Sequence, residues 1–162
     1  MKKLLLLFLF LPVATYSEKT VGLIDFESQY KSDAQKVYEA IVKYSYEYDV
    51  PINIAFNIAN KESNYRGPND FLYTANVGKS YLGPMQLSFK YCAKYADSTV
   101  TRQTLKSDIY ANVSLALKVL RKHYNRYKSW TKACAVYNTG NPRKVNKYVK
   151  KVLVKNYTKN WN

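Results

Sequence analysis

Apolar residues along this chain recur at intervals of three and four and almost never alternate, which confines most of it to helices packed on one another. Val37, Ile41, Tyr44 and Tyr48 mark one such face, and Ser32 with Gln35 before it has the spacing of a capping box. Asp49-Val50-Pro51 breaks that helix. Pro51 suits the first position of a second one, in which Ile52, Ala55, Phe56 and Ala59 share a face that Glu62 continues. The stretch 65–83, with three glycines and Pro68, reads as irregular, with short strands as the alternative around 71–82. A helix is expected from Met85 to Ala96. A long one, capped by Ser107 or Asp108, should then run to Tyr127 with Val113, Leu117, Leu120 and Tyr124 along one stripe. Ser129 caps another to Tyr137, and Asn141-Pro142 opens a last one carrying Val145, Tyr148, Val149 and Val152. The expectation is a mainly α fold without internal repeat or linker.

The first seventeen residues stand apart from that pattern. Lys2 and Lys3 precede an unbroken run of eight apolar residues, Leu4 to Leu11. Pro12 ends the run, and Ala14, Thr15 and Ser17 supply small residues for cleavage. That order is the order of a secretory signal peptide. The run is far short of the roughly 20 apolar residues that span a bilayer. Residues 18–162 are then one domain, long enough to bury about two-thirds of the unfolded chain's surface, working outside the cytoplasm: in a periplasm, in a cell wall or extracellularly.

Of 26 basic residues, removing Lys2 and Lys3 leaves 24 against 11 acidic ones, a balance of +13. A surface of that sign favours a polyanionic partner, and export argues against nucleic acid in that role. His123 is the sole histidine and Cys92 and Cys134 the only cysteines, a set that excludes an ordinary zinc site; no metal or cofactor is expected. In an oxidising compartment Cys92 and Cys134 can pair, and the alternative is that each thiol packs as core.

Among so few acids, Glu62 is the one whose position suggests chemistry. It ends an apolar helix in Ala-Asn-Lys-Glu-Ser-Asn (59–64), and two punctuated motifs follow, Gly83-Pro84-Met85-Gln86 and Val136-Tyr137-Asn138-Thr139-Gly140. A carboxylic acid on the last turn of a buried helix, with a Gln turn and a Tyr-Asn turn, is a constellation suited to cleaving sugars.

Together Glu62-Ser63, Gly83-Pro84-Met85-Gln86 and Tyr137-Asn138 resemble the three signature motifs of the soluble lytic transglycosylase catalytic domain, which has a lysozyme-like fold. Asp108 to Leu117, with Asn112 and Val113, is similar to that family's Asp-Pro-x-x-Asn-Ile helix start. Val136 to Leu153 is similar to its Tyr-Asn-x-Gly and Tyr-Val-x-Lys-Val run. The resemblance covers residues 36–154. It departs at Pro84, where Leu is usual, and at Val136, where Ala is usual; Pro84 stiffens the turn before Met85.

The resemblance implies cleavage of peptidoglycan between N-acetylmuramic acid and N-acetylglucosamine, with the muramic C6 hydroxyl attacking C1 to give a 1,6-anhydro product. A nucleophile tethered to the substrate makes a second carboxylate dispensable. Glu62 would act twice, as general acid and then as base, with a pKa raised by an apolar setting to which Ile58, Ala59 and Met85 could contribute. By the same resemblance Gln86 contacts substrate or the region of Glu62, and Tyr137 hydrogen-bonds or orients Glu62. Asn138 holds its turn or contacts sugar, Ser63 bonds near the reacting sugar or to local backbone, and Met85 packs along the cleft. Tyr65, Tyr73 and Tyr81 are candidate sugar-stacking residues beside Glu62.

Two other readings predict different outcomes. A goose-type lysozyme would hydrolyse the same bond with an aspartate placing water, for which Asp70 and Asp97 are candidates. A cationic wall-binding protein would have no turnover to lose. The partners implied are peptidoglycan strands acted on by a monomer, and either a secretion, conjugation or pilus apparatus that needs the wall opened locally or, as the alternatives, a role in wall turnover or in a phage.

Overall fold

The computed structural model describes residues 31–69 and 81–154. Contacts divide the chain into two units, Met1–Lys31 and Ser32–Asn162, and everything below concerns the second. The leader read in residues 1–17, together with Asp70, Tyr73 and the strand alternative over 71–80, lies outside the described residues.

The described residues form seven α-helices, one short 3-10 turn and a two-stranded hairpin, the mainly helical arrangement expected. Helix α1 (Asp33–Glu47) starts at the capping box read from the sequence: the Ser32 hydroxyl takes the Gln35 amide and the Gln35 side chain takes the Ser32 amide. It buries Val37, Ala40, Ile41 and Ser45. Asp49, at φ +50°, turns the chain into α2 (Ile52–Ser63). Pro51 is the N-cap of α2 rather than its first residue, because its ψ of 120° leaves it outside the helix while its carbonyl accepts from Ile54 and Ala55.

The expected helix from Met85 to Ala96 is replaced by a hairpin. Strands β1 (Tyr81–Leu82) and β2 (Leu87–Ser88) pair antiparallel around Gly83-Pro84-Met85-Gln86. A short α3 (Phe89–Cys92) and a 3-10 turn (Ala93–Tyr95) follow. Gly83 at φ +68° and Gln86 at φ +50° both occupy the left-handed region, which no α-helix admits. Helix α4 (Arg102–Ser107) was not anticipated; Thr101 and Thr104 cap it reciprocally. Ser107 therefore ends a helix, and Asp108 is the residue that caps the long α5 (Ile109–Tyr127), accepting from the Ala111 amide.

Helix α5 is the central post, about 28 Å long at 1.5 Å per residue. Val113, Ala116, Leu117, Leu120 and His123 are buried on it at spacings of three and four, and Leu115 and Val119 bury a second side. Helices α1 and α6 (Trp130–Thr139, capped by Ser129) pack against it. The last helix, α7 (Lys147–Val152), begins later than Asn141-Pro142 suggested. Asn141 spends its side chain on the Arg143 amide in a local turn, Asn146 caps the helix instead, and Val145 is left exposed in the loop. Helix α7 packs on α2 and α6. Asn57, buried on α2, donates to the carbonyls of Val152 (3.1 Å) and Val154 (3.0 Å) and so pins the end of α7 to the helix that carries Glu62.

Cys92 and Cys134 are both buried and both free, so the disulfide reading gives way to its alternative of two core thiols. Burial raises them to about 11 and about 12 respectively.

Candidate active site

The last turn of α2 delivers Glu62 because the chain cannot continue beyond it. Asn64 and Tyr65 take φ of 54° and 61°, and that reversal carries the Tyr65 ring fully into the core, where its hydroxyl donates to Phe56 O. Tyr65 is therefore packing, not the cleft residue expected. Ser63 is buried as well, its hydroxyl donating to Ala59 O at 3.3 Å, the local backbone role rather than a contact offered to sugar.

Glu62 itself is half-buried. The Tyr148 hydroxyl donates to its Oε1 at 2.5 Å, while Oε2 has no protein partner among the described residues. Burial pushes the carboxyl above its ordinary value, and the Tyr148 bond opposes that by favouring the charged form. Tyr148 is held far above the usual tyrosine range by burial and by the Glu62 charge, so it acts as a permanent donor. The role expected of Tyr137 thus belongs to Tyr148. Its signals in the sequence were a place on the apolar stripe of the last helix and the first position of the Tyr-Val-x-Lys-Val match, Tyr148 to Val152, neither of which pointed to Glu62.

Tyr137 does something else: its hydroxyl donates to Met85 O at 2.7 Å. On the opposite side of that turn Asn112, wholly buried on α5, accepts from the Met85 amide (3.0 Å) and donates to Leu82 O and Leu105 O (2.9 Å each). Met85 is fully buried beneath the turn. These four bonds hold Gln86 in a left-handed conformation that costs a non-glycine residue roughly 1–2 kcal/mol. A Cβ at Gly83 would strike the Asn112 amide and come within 2.6 Å of Leu105 O, so only glycine admits the clamp.

Gln86, Tyr137 and Asn138 line a common cleft of about 260 Å³ with Tyr81, Ser88 and Tyr91. Tyr81 is exposed at its edge, as a sugar-stacking residue would be. Asn138 Oδ1 accepts from Asn146, tying the cleft wall to the start of α7. Asp97 is exposed and paired with Lys118 at 3.3 Å, which removes it from the cleft as a water-placing acid. The structure therefore brings together Gln86, Tyr81, Tyr137 and Asn138, and sets Glu62 close enough for its charge to act on Tyr137.

A family model, the transglycosylase SLT domain, matches residues 39–160 of the chain. No curated protein and no solved structure matches it significantly.

Proposed function

The chain belongs to the transglycosylase SLT domain family, lytic enzymes that cleave glycosidic bonds of peptidoglycan, and we propose that Glu62 alone performs both proton transfers of an anhydro-forming cleavage. Neutral Glu62 donates its proton to the glycosidic oxygen between N-acetylmuramic acid and N-acetylglucosamine, and the C1–O bond breaks. The muramic C6 hydroxyl attacks C1, and its proton passes to the Glu62 carboxylate. Atoms balance without water, and the acid is regenerated. The observation that carries this reading is the half-buried Glu62 carboxyl, raised by burial, with one oxygen fixed by Tyr148 and the other without a partner among the described residues. A leader in residues 1–17 would place this chemistry on the wall side of the membrane.

The test is product mass. Peptidoglycan digested with the protein should release muropeptides one water lighter than reducing-end products, and Glu62→Gln should release none while still binding the wall. Reducing ends alone would mean hydrolysis, and unchanged release by the variant would remove Glu62 from the reaction.

A further inference from the structure

The charge of this chain is not spread along it. All 11 acidic residues stand at or before Asp108, and 13 of the 26 basic ones follow it. Residues 18–108 therefore balance 11 against 11, while the last 54 residues carry 13 positive charges and no negative one. An asymmetry of that size within one domain marks a surface for an anionic partner. Among the described residues the earlier part neutralises two of those cations, Lys118 through Asp97 and Arg121 through Asp49. The densest run of the remainder is Arg143, Lys144, Lys147, Lys150 and Lys151, five exposed cations in nine residues. None of the five has an ion pair or a side-chain hydrogen bond among the described residues.

Helix α7 sorts that run onto one side. Tyr148, Val149 and Val152 turn inward, where Tyr148 reaches Glu62 and the two valines are wholly buried. Lys147, Lys150 and Lys151, at spacings of three and four, share the outward side. Like charges at that spacing weaken a helix by themselves. The Asn146 cap and the Asn57 bonds hold α7 in place against that repulsion. Exposed apolar side chains border the lysines: Val145, 46% exposed, comes before the helix, and Val154, 52% exposed, follows about one turn after Lys150 and Lys151. A soluble polyanion would need only the cations. Lysines flanked by exposed valines suit a lipid surface, whose headgroups take the charge and whose acyl boundary takes the apolar side chains.

We propose that the outward side of α7, bordered by Val145 and Val154, is a docking surface for a membrane of anionic lipids. Attachment is peripheral, since no helix of the described residues is long and apolar enough to cross a bilayer. Headgroup phosphates meet the lysine ammonium groups, and Glu62 stands on the other side of the same helix, behind Tyr148. The inference is independent of the reaction assigned to Glu62.

Co-sedimentation of the full chain with vesicles tests it. One set is pure phosphatidylcholine, the other an equal mixture of phosphatidylcholine and phosphatidylglycerol. Lipid is titrated so that partition coefficients are compared, and the apolar run Leu4 to Leu11 then contributes the same factor to every arm. At low salt the parent should prefer the anionic vesicles by at least about 20-fold, at roughly fivefold for each cation that reaches the surface. High salt should collapse the preference. Lys147→Gln, Lys150→Gln and Lys151→Gln together should remove most of it, while Lys147→Arg, Lys150→Arg and Lys151→Arg should keep it. Lys43, Lys90 and Lys106, exposed on α1, α3 and α4, supply the control: their triple exchange for Gln changes net charge equally and should bind like the parent. Val145→Ser with Val154→Ser should weaken binding several-fold. Equal partition of the parent into the two vesicles overturns the docking surface, a result that depends on no variant folding. A control triple that loses as much as the α7 triple assigns the effect to net charge and overturns it too. An α7 triple that keeps its vesicle binding but loses affinity for isolated peptidoglycan gives the face to the wall polymer instead. Valine changes without effect reduce the face to a plain polycation and overturn the choice of lipid.

Discussion

Replacing Tyr148 with Phe isolates what one hydroxyl does to the proton affinity of Glu62. The ring keeps its place while the 2.5 Å bond to Oε1 disappears. A hydrogen bond to a charged group is worth about 1.5–3 kcal/mol, and this one favours the ionised carboxylate against the burial that disfavours it. Without the bond, burial acts alone and the Glu62 pKa rises further. The proposed reaction begins from protonated Glu62, so kcat/KM should fall as pH rises through that pKa, and in Tyr148→Phe this alkaline limb should move to higher pH. The maximal rate moves the other way, because the carboxylate formed as the proton leaves is less stabilised. If half of the bond is expressed in the transition state, about 0.8–1.5 kcal/mol, kcat falls roughly 4- to 12-fold. The assay is the initial rate of soluble muropeptide release across a pH series, with a thermal melt to establish that the variant is folded. A limb that stays in place or moves to lower pH, in a folded variant, refutes the account of how Glu62 is tuned.

Three further outcomes follow from the same geometry. Asn112→Ala leaves the Met85 amide and two buried carbonyls unpaired; at about 1 kcal/mol or more each, stability should fall by at least about 3 kcal/mol and the melting temperature by about 10 °C, read by calorimetry. Gly83→Ala combines a φ of +68° with a backbone collision at Leu105 O, so it should lose both soluble yield and activity, whereas a variant that melts like the parent would show that the turn can relax. With thiols raised to about 11 and about 12, about one part in a thousand or less is thiolate at pH 8. Iodoacetamide should therefore leave Cys92 and Cys134 unlabelled in the folded protein and label both in denaturant without reductant; failure in denaturant would reveal a disulfide.

What the sequence made legible was local. Ser32 with Gln35, Asp108 and Ser129 each announced a helix start through a side chain that satisfies an amide three residues away, and all three caps are present. The stripe on α5 was legible because one face of a long helix repeats its spacing several times. The hairpin was not, since the left-handed Gln86 depends on Asn112, which lies 27 residues after Met85, and on the Tyr137 hydroxyl. The start of α7 was misplaced because Asn141 and Asn146 carry the same capping signal, and only the folded loop shows that Asn141 is occupied by Arg143. Of the site, Glu62, Gln86 and Asn138 could be marked as candidates. Which tyrosine reaches Glu62 could not, because the partner lies 86 residues away and its position is fixed by Asn57 holding the far end of α7.

The placement of the other acids bears on why Glu62 should carry two opposed influences. Among the described residues Asp33 accepts from Asn69, Glu39 from Tyr110, Asp49 pairs with Arg121, Asp97 with Lys118, and Asp108 caps α5. Neither these five nor Glu47, the remaining described acid, lines the Gln86–Tyr137 cleft. An acid that works without a second carboxylate must both give up its proton and take one back within a turnover. Burial by itself would keep Glu62 protonated but make it a reluctant donor, since the charge left behind would be unsolvated. A strong donor by itself would stabilise that charge but leave too little acid to start the reaction. Burial raises the Glu62 carboxyl and the Tyr148 bond opposes that rise, the pairing of influences that a group acting first as acid and then as base would need. If Glu62 works alone as proposed, the opposition between burial and Tyr148 is the feature such a site requires, and a second buried donor to Glu62 Oε2 would be expected to spoil it.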